Sequence, residues 1–270
     1  MSLEKLKSLI ARDEKIAMLT CYDSTFAKLS VAAGIDVLLV GDSLGMVLQG
    51  SENTLNVTMQ DMEYHTRSVV AGAKDCCIMT DMPVGSYEHE KETALANAKR
   101  LIAAGADIVK MEGGGEIVNT AEYLIKQGVP VCAHVGFTPQ SVNKFGGYRI
   151  QGKTDEGAQS ILQDAIAMSK VGVTFVLLEM VPAALAKTIT TSISTPTIGI
   201  GAGIDCTGQV LVLQDLLGIY TGVANKAPED FKSPRFTKNF LQDERSIQGA
   251  VKAYVQAVKN KTFPSAEHSY

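Results

Sequence analysis

Four apolar, strand-like runs in this chain each end on an acid: Val37-Leu38-Leu39-Val40-Gly41-Asp42, Cys77-Ile78-Met79-Thr80-Asp81, Ile108-Val109-Lys110-Met111-Glu112 and Phe175-Val176-Leu177-Leu178-Glu179. A carboxylate is costly to bury unless it is paired, hydrogen-bonded or metal-bound. One such ending is an accident; four in register imply strand ends that converge on one site. Asp42, Asp81 and Glu112 come from consecutive runs, and three neighbouring carboxylates repel one another unless a cation lies between them. Oxygen donors of this kind favour Mg²⁺ or a similar divalent ion that keeps positions open for water or substrate. Taken singly, each acid reads as a helix cap or a surface residue; taken as a set, they read as a metal site.

Other residues join them. Lys110 and Glu112 lie two apart on one run and so face the same way. A lysine beside a metal-binding acid suits a substrate carboxylate or carbonyl oxygen, although an ordinary ion pair would use the same two residues. His134, near the end of the run Pro130–Val135, is either a hydrogen-bond donor to substrate or a structural histidine. Glu179 comes from a later run, across the mouth from the metal acids. A separate carboxylate in a partly apolar pocket suits a general base. The glycines of Gly199-Ile200-Gly201-Ala202-Gly203 fit a phosphate site or backbone that passes close to a ligand. They fail as a dinucleotide fingerprint, which needs a third glycine at a spacing absent here.

Bringing these groups together requires a particular scaffold. Short apolar runs alternate with helical stretches along the chain: Ile16–Cys21 before a helix at Ser24–Ala33, Val37–Asp42 before a helix opened by the Thr58/Asp61 cap pair, Cys77–Asp81 before Glu90–Ala104, Asp107–Glu112 before Glu116–Gln127, Pro130–Val135 before Asp155–Val171, and Phe175–Met180 before Ala183–Thr191. Pro196–Ile200 and Val210–Leu213 complete eight runs. Strand–helix alternation predicts a parallel sheet, and continuous rather than alternating apolar runs predict strands covered on both faces. Eight such units in ~250 residues predict an α/β protein of the (β/α)₈ TIM-barrel type, with the acids at the C-terminal mouth. A doubly wound open sheet is the alternative. No linker divides the chain, so residues 1–270 are expected to form a single domain, with 227–270 as an irregular and helical C-terminal extension. Within it, a helix over Asn239–Lys259 and a frayed tail at Lys261–Tyr270 are expected. Two long glycine-marked loops, Ser43–Val57 and Gly136–Lys153, are expected to act as lids or binding loops.

Composition narrows the classes. A net charge of −4 excludes the basic footprint of a nucleic-acid binder. Met1–Lys15 lacks the apolar segment of a secretory signal, and no run approaches the ~20 apolar residues of a membrane span. Five cysteines without CxxC spacing read as buried reduced thiols of a cytoplasmic protein.

The chain resembles the ketopantoate hydroxymethyltransferase family. The likeness is carried from Thr20 to Gly218 by Thr20-Cys21-Tyr22-Asp23, Val40-Gly41-Asp42-Ser43-Leu44-Gly45-Met46, Tyr64-His65-Thr66, Asp81-Met82-Pro83, Val109-Lys110-Met111-Glu112-Gly113-Gly114, Gly136-Phe137-Thr138-Pro139-Gln140-Ser141, Phe145-Gly146-Gly147-Tyr148, Leu178-Glu179-Met180-Val181-Pro182 and the glycine run at 199–203. Together these motifs are specific, though no single one is. Beyond Gly218 the chain is expected to depart, with an insertion at Ala227–Pro234. The resemblance implies a (β/α)₈ barrel that uses Mg²⁺ and transfers a hydroxymethyl group from 5,10-methylenetetrahydrofolate to 3-methyl-2-oxobutanoate through a metal-stabilised enolate, in pantothenate synthesis. It implies Asp42, Asp81 and Glu112 as metal ligands. Asp42, Ser43, Asp81, Lys110 and His134 fall at substrate contacts, and Glu179 at the proton acceptor. It further implies a cytoplasmic homodecamer. The nearest rival is a metal-dependent barrel of the phosphoenolpyruvate mutase and isocitrate lyase group, which typically uses a reactive cysteine or a phosphonate site; no suitable cysteine loop is visible. A barrel that binds a 2-oxo acid without catalysis is a rival of another class.

Overall fold

The computed structural model describes residues 3–222 and 231–270. Eight strands, β1 (Ile16–Thr20), β2 (Val37–Val40), β3 (Cys77–Asp81), β4 (Ile108–Glu112), β5 (Val131–Gly136), β6 (Phe175–Glu179), β7 (Thr197–Ile200) and β8 (Gly208–Leu211), pair in parallel in sequence order. β8 returns to β1 through Ile16↔Gly208 to Leu19↔Leu211, which closes the barrel. Every strand residue is buried except the mouth-facing Gly136 and Glu179, which are partly exposed. Side chains fill the inside and helices cover the outside, which accounts for the continuous apolar runs.

Helix α1 (Leu3–Ala11) precedes β1. The covering helices are α2 (Ser24–Ala32), α4 (Met59–Gly72) after the short α3 (Leu44–Val47), α5 (Lys91–Ala103), α6 (Ile117–Lys126), α8 (Asp155–Val171) after the short α7 (Val142–Phe145), and α9 (Ala183–Ser192). The expected cap of α4 is present: Thr58 Oγ1 accepts from Asp61 N, and Asp61 Oδ2 accepts from Thr58 N at 2.9 Å. Between β7 and β8 the chain passes back to the base of the barrel in seven residues with no helix. After β8 come α10 (Leu213–Leu216) and α11 (Ile247–Lys259), which packs on α2 and β1.

Three sequence expectations are corrected here. The last strand is Gly208–Leu211 rather than Val210–Leu213, because Leu213 already belongs to α10. Gly208 reads poorly as strand, yet a Cβ there would lie 2.6 Å from Ile16 O, so the close β1–β8 pairing needs it bare. The final helix starts at Ile247, not Asn239. Asn239 Oδ1 accepts from Leu241 N and Gln242 N, which folds a turn, and Ser246 caps the helix by accepting from Gly249 N. The tail is packed rather than frayed. Phe263 is 3% exposed and sits edge-on to Tyr254 and Phe240, while Arg235 reaches Ala266 O and Glu267 O. Residues 227–230 of the expected insertion lie outside the described residues.

One backbone position links the barrel to its mouth. Gly136, at the end of β5, has φ +94°, and its register partner is Glu179. A Cβ there would lie 2.6 Å from Glu179 O. The turn this permits lets Phe137 N donate to Glu179 O at 2.8 Å and sends the next loop back over the mouth. Gly136→Ala combines a left-handed strain with a backbone clash, so it should cost at least about 2 kcal/mol in urea unfolding.

Candidate active site

The barrel mouth holds a cavity of about 720 Å³, lined among others by Asp42, Ser43, Asp81, Lys110, Glu112, His134 and Glu179. All seven residues singled out from the sequence therefore share one wall system. Strand ends deliver Asp81, Glu112 and Glu179 as expected, whereas Asp42 lies in the turn two residues past β2. Pairing in register sets Asp81 beside Lys110 and Glu112 beside His134.

These groups lie close together and, apart from the partly exposed Ser43 and Glu179, are buried. Lys110 Nζ lies 3.0 Å from Asp81 Oδ1 and 3.6 Å from Glu112 Oε1. Glu112 Oε1 is 3.1 Å from His134 Nδ1, and Asp42 N donates to Asp81 Oδ2 at 3.0 Å. His134 Nε2 comes within 3.3 Å of Glu179 Oε2, but not in hydrogen-bond alignment, so it remains buried without a partner. Asp81 Oδ1 likewise accepts no aligned hydrogen bond despite its lysine neighbour.

The charges are unevenly served. Burial and the nearby Asp81 and Glu112 carboxylates push Asp42 well above the usual carboxylate range. Burial also raises Asp81, although Lys110 and the Asp42 amide pull against it. Glu112 goes the other way: burial is outweighed by His134, Lys110 and the Gln140 amide, which together hold it ionised. Lys110 is kept protonated by Asp81, Glu112 and Asp42 against its own burial.

A divalent cation fits this donor set at Asp42 and Asp81. These are hard oxygen donors, adjacent and electrostatically under-compensated, and one of them carries an orphaned oxygen. Among the described residues no three His, Cys, Asp or Glu side chains are grouped to hold an ion. Glu112 accepts from His134 at Oε1 and from Gln140 N at Oε2, which leaves each oxygen one further acceptor site. Mg²⁺ commonly takes one or two carboxylates and completes its shell with water or substrate.

Two residues were missed in the sequence. Gln140, within the quoted motif 136–141 but given no role, donates from Nε2 to Asp42 Oδ2 at 2.8 Å and to Met82 O at 2.9 Å, while its amide donates to Glu112 Oε2 at 2.9 Å. Tyr87 donates to Gln140 Oε1 at 2.6 Å and accepts from Glu112 N at 3.0 Å. No spacing rule reports such links, since they join segments 25 to 98 residues apart. The two long loops also meet over the mouth, where Tyr148 Oη donates to Met46 Sδ and the Tyr148 ring packs on Phe137. Ser43 is held by Tyr22 Oη at 2.9 Å.

A family model described as ketopantoate hydroxymethyltransferase matches residues 1–266. The chain belongs to the ketopantoate hydroxymethyltransferase family. Its relatives include the 3-methyl-2-oxobutanoate hydroxymethyltransferase of Azoarcus sp. (strain BH72), 54% identical over 270 residues, covering 100% of this chain and 96% of the relative. The enzyme of that name from Neisseria meningitidis serogroup A / serotype 4A (strain DSM 15465 / Z2491) is 54% identical over 269 residues, covering 100% and 97%. The likeness thus runs past Gly218, where the sequence motifs stop and a departure was expected. As a member of the ketopantoate hydroxymethyltransferase family, the chain is an enzyme, a hydroxymethyltransferase. Among solved structures, phosphonopyruvate hydrolase in complex with oxalate and Mg²⁺ superposes with a TM-score of 0.61 at 13% identity, covering 78% of this chain and 81% of that one. For 2,3-dimethylmalate lyase the TM-score is 0.55 at 14% identity, covering 73% and 70%. At such identities the likeness is one of fold. All five cysteines of this chain are buried and unpaired, and burial pushes Cys21 and Cys132 up to about 12, so none is a ready nucleophile.

Two outcomes follow from this geometry. Gln140→Ala leaves Asp42 and the Tyr87 hydroxyl without their shared partner and should lower turnover about 10- to 100-fold in steady-state assays. His134 gives a pH signature in metal-free protein. Burial lowers its pKa, but the Glu112 carboxylate and hydrogen bond outweigh burial and raise it from 6.5 to about 9. A raised pKa contributes stability that is fully present below 6.5 and lost as pH rises through about 9. Urea midpoints should therefore fall across that window, and His134→Gln should flatten the slope.

Proposed function

We propose that this enzyme transfers a hydroxymethyl group from 5,10-methylenetetrahydrofolate to 3-methyl-2-oxobutanoate, giving 2-dehydropantoate, with Mg²⁺ held by Asp42 and Asp81. The observation that carries this reading is the placement of an under-compensated carboxylate pair on one side of the cavity and a separate, partly exposed carboxylate, Glu179, on another. The printed names of the relatives, which specify 3-methyl-2-oxobutanoate, support the choice of substrate.

A divalent ion at Asp42 and Asp81 would act as a Lewis acid toward the oxo acid, making the C–H next to its ketone more acidic. Lys110 supplies the fixed positive charge for the substrate's anionic end, held protonated by its acidic neighbours. Ser43, anchored by Tyr22, offers a hydroxyl to the same cavity. His134 presents Nε2, buried and unbonded, as a donor to the substrate oxygens. Glu179 takes the C3 proton. Its side chain is 14% exposed, enough to return the proton to water after turnover, while His134 beside it steadies the resulting charge. The carbon so exposed forms a bond to the donor's methylene carbon. One of the two methylene–nitrogen bonds opens as that carbon–carbon bond forms, water displaces the second nitrogen and supplies the hydroxyl, and tetrahydrofolate leaves with both nitrogens' electron pairs, protonated from water. The meeting of Tyr148 with Met46 narrows the mouth and limits water during the carbon–carbon step.

The test is proton exchange at C3. Wild-type protein with Mg²⁺ should wash deuterium into C3 of 3-methyl-2-oxobutanoate and should make 2-dehydropantoate only when methylenetetrahydrofolate is added. Glu179→Gln should slow that exchange ~10² to 10⁴-fold while still binding the oxo acid in calorimetry. Undiminished exchange in the variant removes Glu179 from the role.

A further inference from the structure

The cavity has a second polar corner that the oxo acid leaves unused. An acid of eight heavy atoms fills only a fraction of about 720 Å³. Beyond β8, α10 brings Asp215 to the wall, and the following turn brings Tyr220. Asp215 makes no side-chain hydrogen bond among the described residues, and burial alone pushes its carboxyl up to about 7, with no cation to hold it ionised. Tyr220 Oη is buried and likewise has no partner among those residues. The Tyr220 ring stands edge-on to Phe231 at 5.0 Å, and Phe231 also lines the cavity. A buried hydroxyl without a partner among the described residues is costly, and the partly exposed Asp215 carboxyl lies near enough to act on it. This is a pocket with a flat apolar side and one hydrogen-bonding edge.

The corner is also wired to the oxo-acid site. Leu213 N, at the start of α10, donates to Thr20 Oγ1 at 2.9 Å. Thr20 accepts from Tyr22 Oη, which in turn bonds Ser43 Oγ, each at 2.9 Å. A ligand seated at Asp215 is therefore held at a fixed offset from one bound beside Ser43.

We infer that Asp215, Tyr220 and Phe231 seat the flat pterin head of the one-carbon donor, with the Asp215 carboxylate accepting paired N–H groups from the 2-amino-4-oxo edge and the aromatic rings packing on its face. This rests on the folate-dependent reading above. A carboxylate matches two parallel N–H donors in one plane, as amidine-like edges present them. It disfavours phosphate or carboxylate groups, so the donor's anionic tail must point elsewhere. Lys232, at the exposed rim of the same cavity, offers it a counter-charge.

The test is equilibrium binding of tetrahydrofolate under anaerobic conditions to the full-length protein, by fluorescence titration. Asp215→Asn keeps the shape but replaces one acceptor with a donor, and should weaken binding about 10-fold or more. Tyr220→Phe loses one hydrogen bond and should weaken it about 3-fold; it decides the matter if the first variant does not fold. Unchanged affinity in Tyr220→Phe and in folded Asp215→Asn overturns the assignment. Loss of tetrahydrofolate binding together with C3 exchange on the oxo acid marks a damaged barrel mouth and also overturns it. A wild-type protein that makes product without any folate instead sinks the parent reading, and the pterin seat with it.

Discussion

The mouth of this barrel depends on the cost of burying like charges together. Four carboxylates, Asp42, Asp81, Glu112 and Glu179, reach one cavity and meet two basic side chains, Lys110 and His134. Glu112 is fully served by the bases and by the Gln140 amide, and its carboxyl is held ionised. Asp42 has only the Gln140 amide group as a direct side-chain donor; Asp81 and Glu112 crowd it, and burial removes the water that would have screened it. Lys110 lies nearest Asp81, so Asp42 is the carboxylate left shortest of positive charge, and the chemistry proposed for the enzyme uses that difference. Paired buried charges add little net stability, so this cluster is better understood through its function than as a support of the fold.

The rest of the molecule holds the imbalance in place. Parallel register fixes which acid faces which base, since Asp81 pairs with Lys110 and Glu112 with His134. Gly136 then turns the chain so that its loop folds back across the mouth. That loop delivers Gln140, whose side chain and amide hold Asp42 and Glu112 from one residue, with Tyr87 fixing the amide group's orientation. Carboxylates from different strands are thereby kept at set positions before any ligand arrives, which is the preorganisation that electrostatic catalysis requires.

Much of this was legible in the sequence because it is local. An apolar run ending on an acid announces both the strand and the direction of its chemistry, and six of the seven site residues, all but Ser43, stood out that way or by their place in the run. Ser43 came only through family likeness, because a serine after a strand carries no signal of its own. What escaped was set by contacts between distant segments. Gln140 and Tyr87 act through bonds that span loops. Gly208 fell outside the expected last strand, and only the approach of β1 explains a glycine as its first residue. The tail from Lys261 to Tyr270 is short and polar enough to suggest fraying, yet one aromatic side chain, Phe263, docks it against Tyr254 and Phe240. Asn239, which reads as a helix start, instead spends its side chain on a turn.

The proposed chemistry needs one cation shared by Asp42 and Asp81. Its most direct test is a crystal of the protein grown with Mn²⁺ in place of Mg²⁺ and with 3-methyl-2-oxobutanoate, measured for anomalous scattering. A single strong peak is expected between the two carboxylates, in contact with the oxo acid. A bound oxo acid with no peak there, or a peak elsewhere on the chain, would contradict it.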